Sequence, residues 1–214
     1  MQLPFSHDQF LNVFAAFNTA LWPAAAVLWL VTAGVLLSFF RRGEEVSRVV
    51  AGLLAVHWAW SGIAYHLAYF RTINSAAALF GALFIVEAAA LAWLGVRKTD
   101  LRFSSVSSGW GRIGFVLLLY SMAYPLFSVL SGMEFPRLPL FGVPCPTTIL
   151  TVGFLLCTSP RAVWWLAVIP AMWAALGGSA AIVFGIRADF GLLVAGLLLV
   201  VFIARRRRAA RVPV

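Results

Sequence analysis

Charged residues are scarce in this sequence: Asp, Glu, Lys and Arg make up 11% of its 214 residues, whereas hydrophobic residues make up 63%. A soluble domain keeps about a quarter of its residues charged, so this chain cannot cover its surface for water. Cysteine is scarce as well, and two cysteines in an apolar chain do not make a disulfide framework. These shortages exclude a soluble module of useful size and a disulfide-stabilised secreted domain.

Long apolar runs take the place of the missing charges. Runs of about 20 apolar residues recur along the whole chain, which is typical of transmembrane helices. We therefore predict an all-α membrane bundle, a single domain over residues 21–204 with a basic tail over 205–214. Seven transmembrane helices are expected, at 21–40, 49–70, 74–96, 112–132, 144–157, 163–184 and 190–204.

The N-terminal residues 1–20 are predicted to carry a separate, short amphipathic helix at the membrane interface. Phe10, Phe14 and Phe17 recur at helical spacing, and Ser6 with Gln9 three residues later resembles a capping box. The alternative is a plain extension of the first transmembrane helix. No Lys or Arg precedes the first apolar run, so a cleavable signal peptide is not expected.

The basic residues predict the orientation. With the N-terminus outside, 13 of the 16 Lys and Arg residues fall in inner segments and 3 in outer ones, namely Arg71, Arg137 and Arg187. This bias follows the positive-inside rule and places the C-terminus in the cytoplasm. Topology therefore accounts for the net charge of +9, and no nucleic acid partner is expected. The arginines at 205–208 are expected to lie near anionic lipid.

Lysine is nearly absent, which excludes one well-known seven-helix class. A retinal pigment needs a lysine in its last helix to form the Schiff base. The one lysine of this chain is Lys98, in a predicted inner loop.

Three polar residues, His57, Glu87 and Tyr120, are predicted to share one depth in the membrane. Helical rise places His57 and Glu87 roughly 13 Å above the inner surface, with Tyr120 at about the same level. An unpaired carboxylate there costs several kcal/mol, so Glu87 should be protonated or hydrogen-bonded to one of the other two. The group is either a proton-linked or cation-binding pair, or a neutral hydrogen bond that holds helices together.

A second polar group lies at the outer end of the second apolar segment and comprises Ser61, Tyr65, His66, Tyr69, Arg71 and Asn74. One interpretation is an aromatic belt with an arginine that reaches the headgroups. The other is that these residues line an outward-facing vestibule. In both, His66 lies near the outer headgroups and titrates freely.

The stretch around Cys145 is the most unusual part of the sequence. Cys145 is expected roughly 12 Å below the outer surface, which requires residues 138–144 to re-enter the bilayer. Irregular backbone at such depth must be buried by protein or meet a watery cavity. The alternative is a longer helix that begins near Pro139.

If the loop re-enters, the first turn of the next helix presents Cys145, Thr147 and Thr148. Free amides at a helix start attract anions and favour thiolate, so the candidates are a polar ligand, a soft metal ion or a redox thiol. A metal site is disfavoured because no second ligand stands at fixed spacing. No cofactor is expected.

One further residue, Trp173, belongs to this set of candidates, whereas Asp189 does not. Trp173, three residues after the helix-bending Pro170, is a cavity-lining candidate, although packing in the core is the commoner role. Asp189 could pair with Arg187 or Arg71, but its position near the surface favours plain solvation.

Several segments resemble a known family. They are FNTALWPA at 17–24, YFRTIN at 69–74, FGVPCPTT at 141–148, Ile-Pro at 169–170 and Gly-Gly-Ser at 177–179. In these the chain resembles an uncharacterised family of bacterial multi-pass membrane proteins, known only as a domain of unknown function, whose members are sometimes labelled permeases. The resemblance covers nearly the whole chain. It implies a bacterial inner-membrane location and assigns no activity and no site residue.

The sequence thus favours an inner-membrane protein whose outward-facing polar cavity binds or passes a small solute or ion. Two alternatives stay open: a non-catalytic scaffold or accessory subunit, and an intramembrane thiol redox or other enzyme that uses Cys145. The partners expected are the lipid bilayer and a small ligand, and a homo-oligomer is compatible with the sequence.

Overall fold

The computed structural model of the chain describes residues 4–39, 43–98, 100–103, 106–158 and 164–209. Within these ranges the regular structure is helical, apart from one isolated antiparallel bridge between Phe103 and Thr158. The predicted all-α class is confirmed.

Eight α-helices follow one another along the described chain. They are α1 (His7–Phe39), α2 (Glu44–Trp60), α3 (Ala77–Leu91), α4 (Gly109–Met122), α5 (Tyr124–Leu130), α6 (Pro144–Leu156), α7 (Val168–Phe184) and α8 (Phe190–Ala209). Helices α2 and α3 continue as π-helical turns over Ser61–Leu67 and Ala92–Arg97. Short 3-10 turns lie at Phe70–Thr72, before α7 at Trp164–Ala167 and before α8 at Arg187–Asp189.

Five helical stretches of the described chain are long and apolar enough to cross a membrane. They are His7–Phe39, Glu44–Thr72, Ala77–Arg97, Trp164–Phe184 and Arg187–Arg208. Helices α4 and α5 meet at a bend of 61° and make a sixth if the pair counts as one span. Helix α6 has 13 residues, about 20 Å, which is shorter than the hydrocarbon core of about 30 Å. All seven predicted segments coincide with helices, but length alone supports five or six spans.

The N-terminal segment is not a separate helix. The predicted capping box is present, because Ser6 N donates to Gln9 Oε1 at 2.7 Å and Gln9 N donates to Ser6 Oγ at 3.2 Å. The helix that starts there does not stop near residue 20 but runs unbroken to Phe39. Pro23 removes only one backbone donor, and apolar helix formers on both sides keep the helix intact. Residues 7–20 are therefore the first part of a helix about 50 Å long.

Helix α6 is the centre of the bundle. Its residues are buried except for the half-buried Cys145, and it packs against α2, α4, α7 and α8. Two glycines bring it close to α4: a Cβ added to Gly114 would stand 2.5 Å from the carbonyl oxygen of Gly153. Such small-residue contacts let two helix backbones touch where apolar surface alone cannot drive association. This close approach allows the short helix α6 to lie inside the bundle, with other helices packed around it.

The segment before α6 is irregular and buried, as the sequence requires of a loop that enters the bundle. Three of its carbonyl groups are bound by side chains of other helices. Asn18 Nδ2 donates to the carbonyls of Pro136 at 2.7 Å and Leu138 at 2.6 Å, and Ser61 Oγ donates to that of Gly142 at 2.7 Å. The alternative of a longer helix from Pro139 is wrong, because the helix begins at Pro144.

Gly142 is required at the end of this loop for two reasons. Its φ of 91° lies in the left-handed region that side chains rarely adopt. A Cβ there would also lie 3.1 Å from Leu28 and 3.2 Å from the indole nitrogen of Trp60. Glycine therefore avoids both the backbone strain and the close contacts that a side chain would bring at this turn into α6.

We predict that Asn18→Ala destabilises the protein by about 1–3 kcal/mol, because one buried carbonyl and one partly buried carbonyl lose their donor. Asn12→Ala is the matched control, since Asn12 lies on the same helix with its side chain exposed. The check is thermal or SDS-induced unfolding of both purified variants in detergent. Equal stability of the two variants would contradict the proposed role of Asn18.

Candidate functional site

A cavity of about 240 Å³ lies between several elements of the bundle. They are the N-terminal end of α1, the end of the second span, the first turn of α6 and the middle and C-terminal part of α7. Its walls are mainly aromatic. The rings that line it are Phe5, Phe10, Phe14, Tyr65, Phe70, Phe80, Trp173 and Phe184. We call this space the aromatic cavity.

The first turns of α1 supply one wall. Phe10 stacks on Phe184 with ring centroids 4.7 Å apart, and Phe14 lies against Tyr65 at 5.7 Å. The phenylalanine face of this segment, expected to anchor it to lipid or to the bundle, thus packs on the protein. Because aromatic rings pack best edge-to-face or offset, these contacts hold the wall in place without any polar bond.

The polar end of the cavity is built around Asp189. This residue is 3% exposed and accepts a short hydrogen bond from the hydroxyl of Tyr124. The thiol of Cys145 lies beside the same carboxylate, and Tyr65 is close to both. The indole N–H of Trp173 has no hydrogen-bond partner among the described residues. Asp189, Cys145 and Trp173 all line the cavity, and we call them, with Tyr124, the acidic floor.

No basic group neutralises the acidic floor. Within the described ranges no Lys, Arg or His nitrogen lies within 4.0 Å of the Asp189 carboxylate. No group of three or more His, Cys, Asp or Glu suited to a metal ion occurs there either. The expectation that Asp189 is solvated or paired with Arg187 or Arg71 is wrong. Gly185 ends α7 in a left-handed conformation, and the 3-10 turn that follows carries Asp189 inward.

The structure places four of the nine predicted cavity residues on the aromatic cavity: Tyr65, Asn74, Cys145 and Trp173. The two threonines of the same set are buried elsewhere. Thr147 Oγ1 is 3.2 Å from Ser61 Oγ, and Thr148 Oγ1 donates to the Pro144 carbonyl at 2.9 Å. Successive residues of a helix point about 100° apart, so the first turn of α6 cannot present all three side chains to one space.

The remaining three predicted residues do not line the cavity. His66 is fully buried, with its ring 4.7 Å from Phe84 and 4.9 Å from Trp173, so the expectation of a freely titrating side chain is wrong. Both of its nitrogens lack hydrogen-bond partners among the described side chains and backbone. Its π-helical turn departs from the α-helical period by which the sequence assigns faces. Tyr69 packs on Phe17, and Arg71 is exposed.

The three residues predicted at one depth do not contact one another through hydrogen bonds. His57 Nε2 is 2.9 Å from Thr32 Oγ1, and the Tyr120 hydroxyl donates to the Ala188 carbonyl at 2.8 Å. Glu87 is 1% exposed, and its Oε1 has no partner in the part of the chain that the structure describes. The expected hydrogen bond from Glu87 to His57 or Tyr120 is therefore not formed. Depth can be counted along a helix, but the direction of each side chain depends on how the helices pack.

Sequence reasoning missed the role of Tyr124 and undervalued that of Asp189. Tyr124 begins α5 directly after the bend, and Pro125 next to it was a signal that the fourth segment breaks there. Asp189 was visible as an acid immediately before an apolar run. Their contact joins two segments 65 positions apart, and a single sequence does not reveal such a pairing.

Fold and site together define a helical protein with several helices of membrane-spanning length and a buried carboxylate at the end of an aromatic cavity. The chain belongs to a family described as a family of unknown function (DUF6064), whose model matches residues 7–213. The family predicted from the sequence segments is thereby confirmed. No curated protein and no solved structure matches the chain.

We predict that Tyr124→Phe costs about 1.5–3 kcal/mol of stability, because the buried carboxylate of Asp189 loses a hydrogen-bond donor while the ring packing is kept. Tyr120→Phe is the matched control: its half-buried hydroxyl donates to a neutral carbonyl, for which about 0.5–1.5 kcal/mol is expected. Unfolding of both variants in detergent gives the comparison. A larger loss for Tyr120→Phe would contradict the assignment.

Proposed function

We propose that this protein is an integral membrane protein that binds a small organic cation in the aromatic cavity, with Asp189 as the counter-charge. One observation carries the proposal: a buried carboxylate without a basic neighbour closes a cavity whose walls are aromatic rings. The ligand class follows from what this surface attracts.

Aromatic faces are negative and attract cations, at about 0.5–2 kcal/mol per favourable ring. A carboxylate in an apolar environment is unfavourable unless a positive charge or further donors reach it. A bound cation satisfies both the rings and Asp189. An anionic ligand would be repelled by the carboxylate, and a purely apolar ligand would leave it with hydrogen bonds from Tyr124 and Cys145 but without a counter-charge.

Size limits the ligand further. Sites for drug-sized molecules commonly enclose about 300–1,000 Å³. The aromatic cavity, at about 240 Å³, suits a substituted ammonium group with a short polar tail. Asn74 and Ser179, which also line the cavity, offer hydrogen bonds to such a tail.

The proposal includes the topology. Seven crossings, with the N-terminus outside and the C-terminus in the cytoplasm of a bacterial inner membrane, agree with the 13-to-3 distribution of basic residues. They also agree with the helices found at all seven apolar segments, α6 being a short crossing shielded by its neighbours. In this orientation the aromatic cavity lies toward the outer side, since it includes the first turn of α1 and Asp189 just before α8.

Thiol chemistry at Cys145 is the weaker candidate. A thiolate there would stand beside the Asp189 carboxylate, and two like charges in an apolar environment repel each other. A reactive cysteine needs an electropositive surrounding, and the described residues place no basic group at this point. A ligand site in which the thiol is a neutral hydrogen-bond partner agrees better with these neighbours.

We predict that choline and tetraethylammonium bind the purified protein, whereas 3,3-dimethylbutan-1-ol, the uncharged analogue of choline with the same shape, does not. Asp189→Asn should weaken cation binding by about tenfold or more, equivalent to about 1.4 kcal/mol. Calorimetry and thermal shift in detergent measure both effects.

Glu134→Gln is the matched control, because it removes one exposed negative charge away from the cavity. Phe184→Leu keeps the charge of the site but removes a π face, and should also lower affinity. Equal binding of choline and its uncharged analogue, or unchanged affinity in folded Asp189→Asn, would refute the proposal.

The proposal extends to Glu87 as a proton-linked element, with His57 as a second polar group deeper in the bundle. In support, Glu87 is buried with an unpartnered Oε1 and lies one helical turn beyond Phe84. Phe84 in turn packs on Trp173 of the cavity wall, with ring centroids 5.1 Å apart, so Glu87 is close along α3 to a residue that contacts this wall. A carboxyl group in such a place is a default candidate for proton transfer.

For transport, we predict that a pH gradient drives uptake of labelled tetraethylammonium into proteoliposomes and that Glu87→Gln abolishes this uptake. Cation binding in detergent should persist, because Glu87 does not line the cavity. Glu45→Gln, which changes an exposed glutamate, is the control. Gradient-driven uptake that survives in Glu87→Gln would show that Glu87 is not the coupling group.

A further inference from the structure

A second groove lies at the opposite, basic end of the bundle, between α7 and α8. It encloses about 490 Å³. Its walls are apolar, and two arginines stand at its mouth. The residues that shape it include Trp164, Ala167, Ala171, Val200, Arg207 and Arg208. We call it the arginine groove.

The four arginines at the end of α8 differ in their surroundings. Arg206 Nη2 donates to the Thr158 carbonyl at 2.9 Å, and Arg205 lies over the Trp110 ring at 5.9 Å. These two are directed toward the protein and away from the groove. Arg207 and Arg208 line the groove instead, and neither has an acidic partner among the described residues. Successive residues of a helix point about 100° apart, so Arg205 and Arg207 face nearly opposite sides of α8.

Arg207 is held in place at the mouth of the groove. Its guanidinium group lies 4.5 Å from the centre of the Trp164 ring, which itself stacks on Trp165 at 3.5 Å. Indole rings favour the headgroup region of a bilayer, so this pair marks the level at which lipid phosphates lie. The Arg207 guanidinium group is fixed at that level and has no acidic partner among the described residues. Its N–H groups can therefore donate hydrogen bonds to a lipid phosphate.

The walls of the groove favour an acyl chain. Ala167 and Ala171 on the α7 side face Val200 and Ala204 on α8, and their small side chains leave a slot without polar groups. A free phosphate would use the arginines but leave this slot empty. An amphiphile with an anionic head and a hydrocarbon chain fills both parts. Basic pockets between transmembrane helices are known to bind the headgroups of anionic lipids.

We propose that the arginine groove is a specific site for one anionic phospholipid, with its phosphate on Arg207 and Arg208 and an acyl chain between α7 and α8. The site is independent of the aromatic cavity and of its ligand. It differs from general attraction of the basic tail to a negative membrane surface, because that attraction depends on charge and not on the shape of the groove.

The test is native mass spectrometry of the full chain, released from micelles that contain phosphatidylglycerol and phosphatidylcholine with identical chains. The wild-type protein should retain one phosphatidylglycerol in preference to phosphatidylcholine by about tenfold, and the double variant Arg207→Gln/Arg208→Gln should lose this preference. The double variant Arg112→Gln/Arg205→Gln removes the same amount of charge outside the groove and should keep the preference for phosphatidylglycerol. Arg207→Lys/Arg208→Lys keeps the charge but loses the stacked guanidinium, so this variant should retain the preference only in part.

Shape and lipid source are tested separately. Ala171→Phe fills the slot while every arginine remains, and should reduce retention as strongly as the double glutamine variant. Inorganic phosphate should not displace the bound lipid, because it cannot occupy the slot. The proposal is overturned if both double glutamine variants lose lipid equally, if folded Ala171→Phe retains the wild-type preference, or if phosphate alone competes.

Discussion

The structure depends on one constraint: backbone that leaves helical form inside the bundle must find hydrogen bonds there. The stretch before α6 meets this requirement through Asn18, which binds two carbonyls, and Ser61, which binds a third. These bonds let the chain enter the protein interior and start a helix at Pro144. The position of Cys145 at the cavity and the burial of α6 both follow from that entry point.

Three of the four residues of the acidic floor come from places where helices start or break. Cys145 lies in the first turn of α6, Tyr124 at the 61° bend and Asp189 in the turn before α8. Such points can present a side chain across the bundle, whereas the middle of an apolar helix offers mostly hydrocarbon. Five of the eight aromatic rings come from regular α-helices, chiefly α1 and α7, whereas Phe5, Tyr65 and Phe70 lie outside them. The candidate site thus combines polar groups at helix starts and bends with walls built mostly on regular helices.

Much of the fold could be predicted from the sequence, because apolar length and turn chemistry are local properties. The helical segments, the capping box at Ser6 and the irregular stretch before Pro144 follow directly from residue order. Side-chain directions could not be predicted to the same degree. The π-helical turn at Ser61–Leu67 alters the helical period, so His66 lies in the core. Asp189 is buried because of a tyrosine 65 positions away, a contact that no periodicity encodes.

Gly142 has a consequence for how this protein can vary. Its positive φ and the nearness of Trp60 and Leu28 act together, so any larger residue would strain the backbone and crowd two neighbours at once. A compensating change would have to occur simultaneously on α1 and α2. Evolutionary drift by single steps is therefore blocked at this point, while Gly34, with open space around its Cα, is free to change.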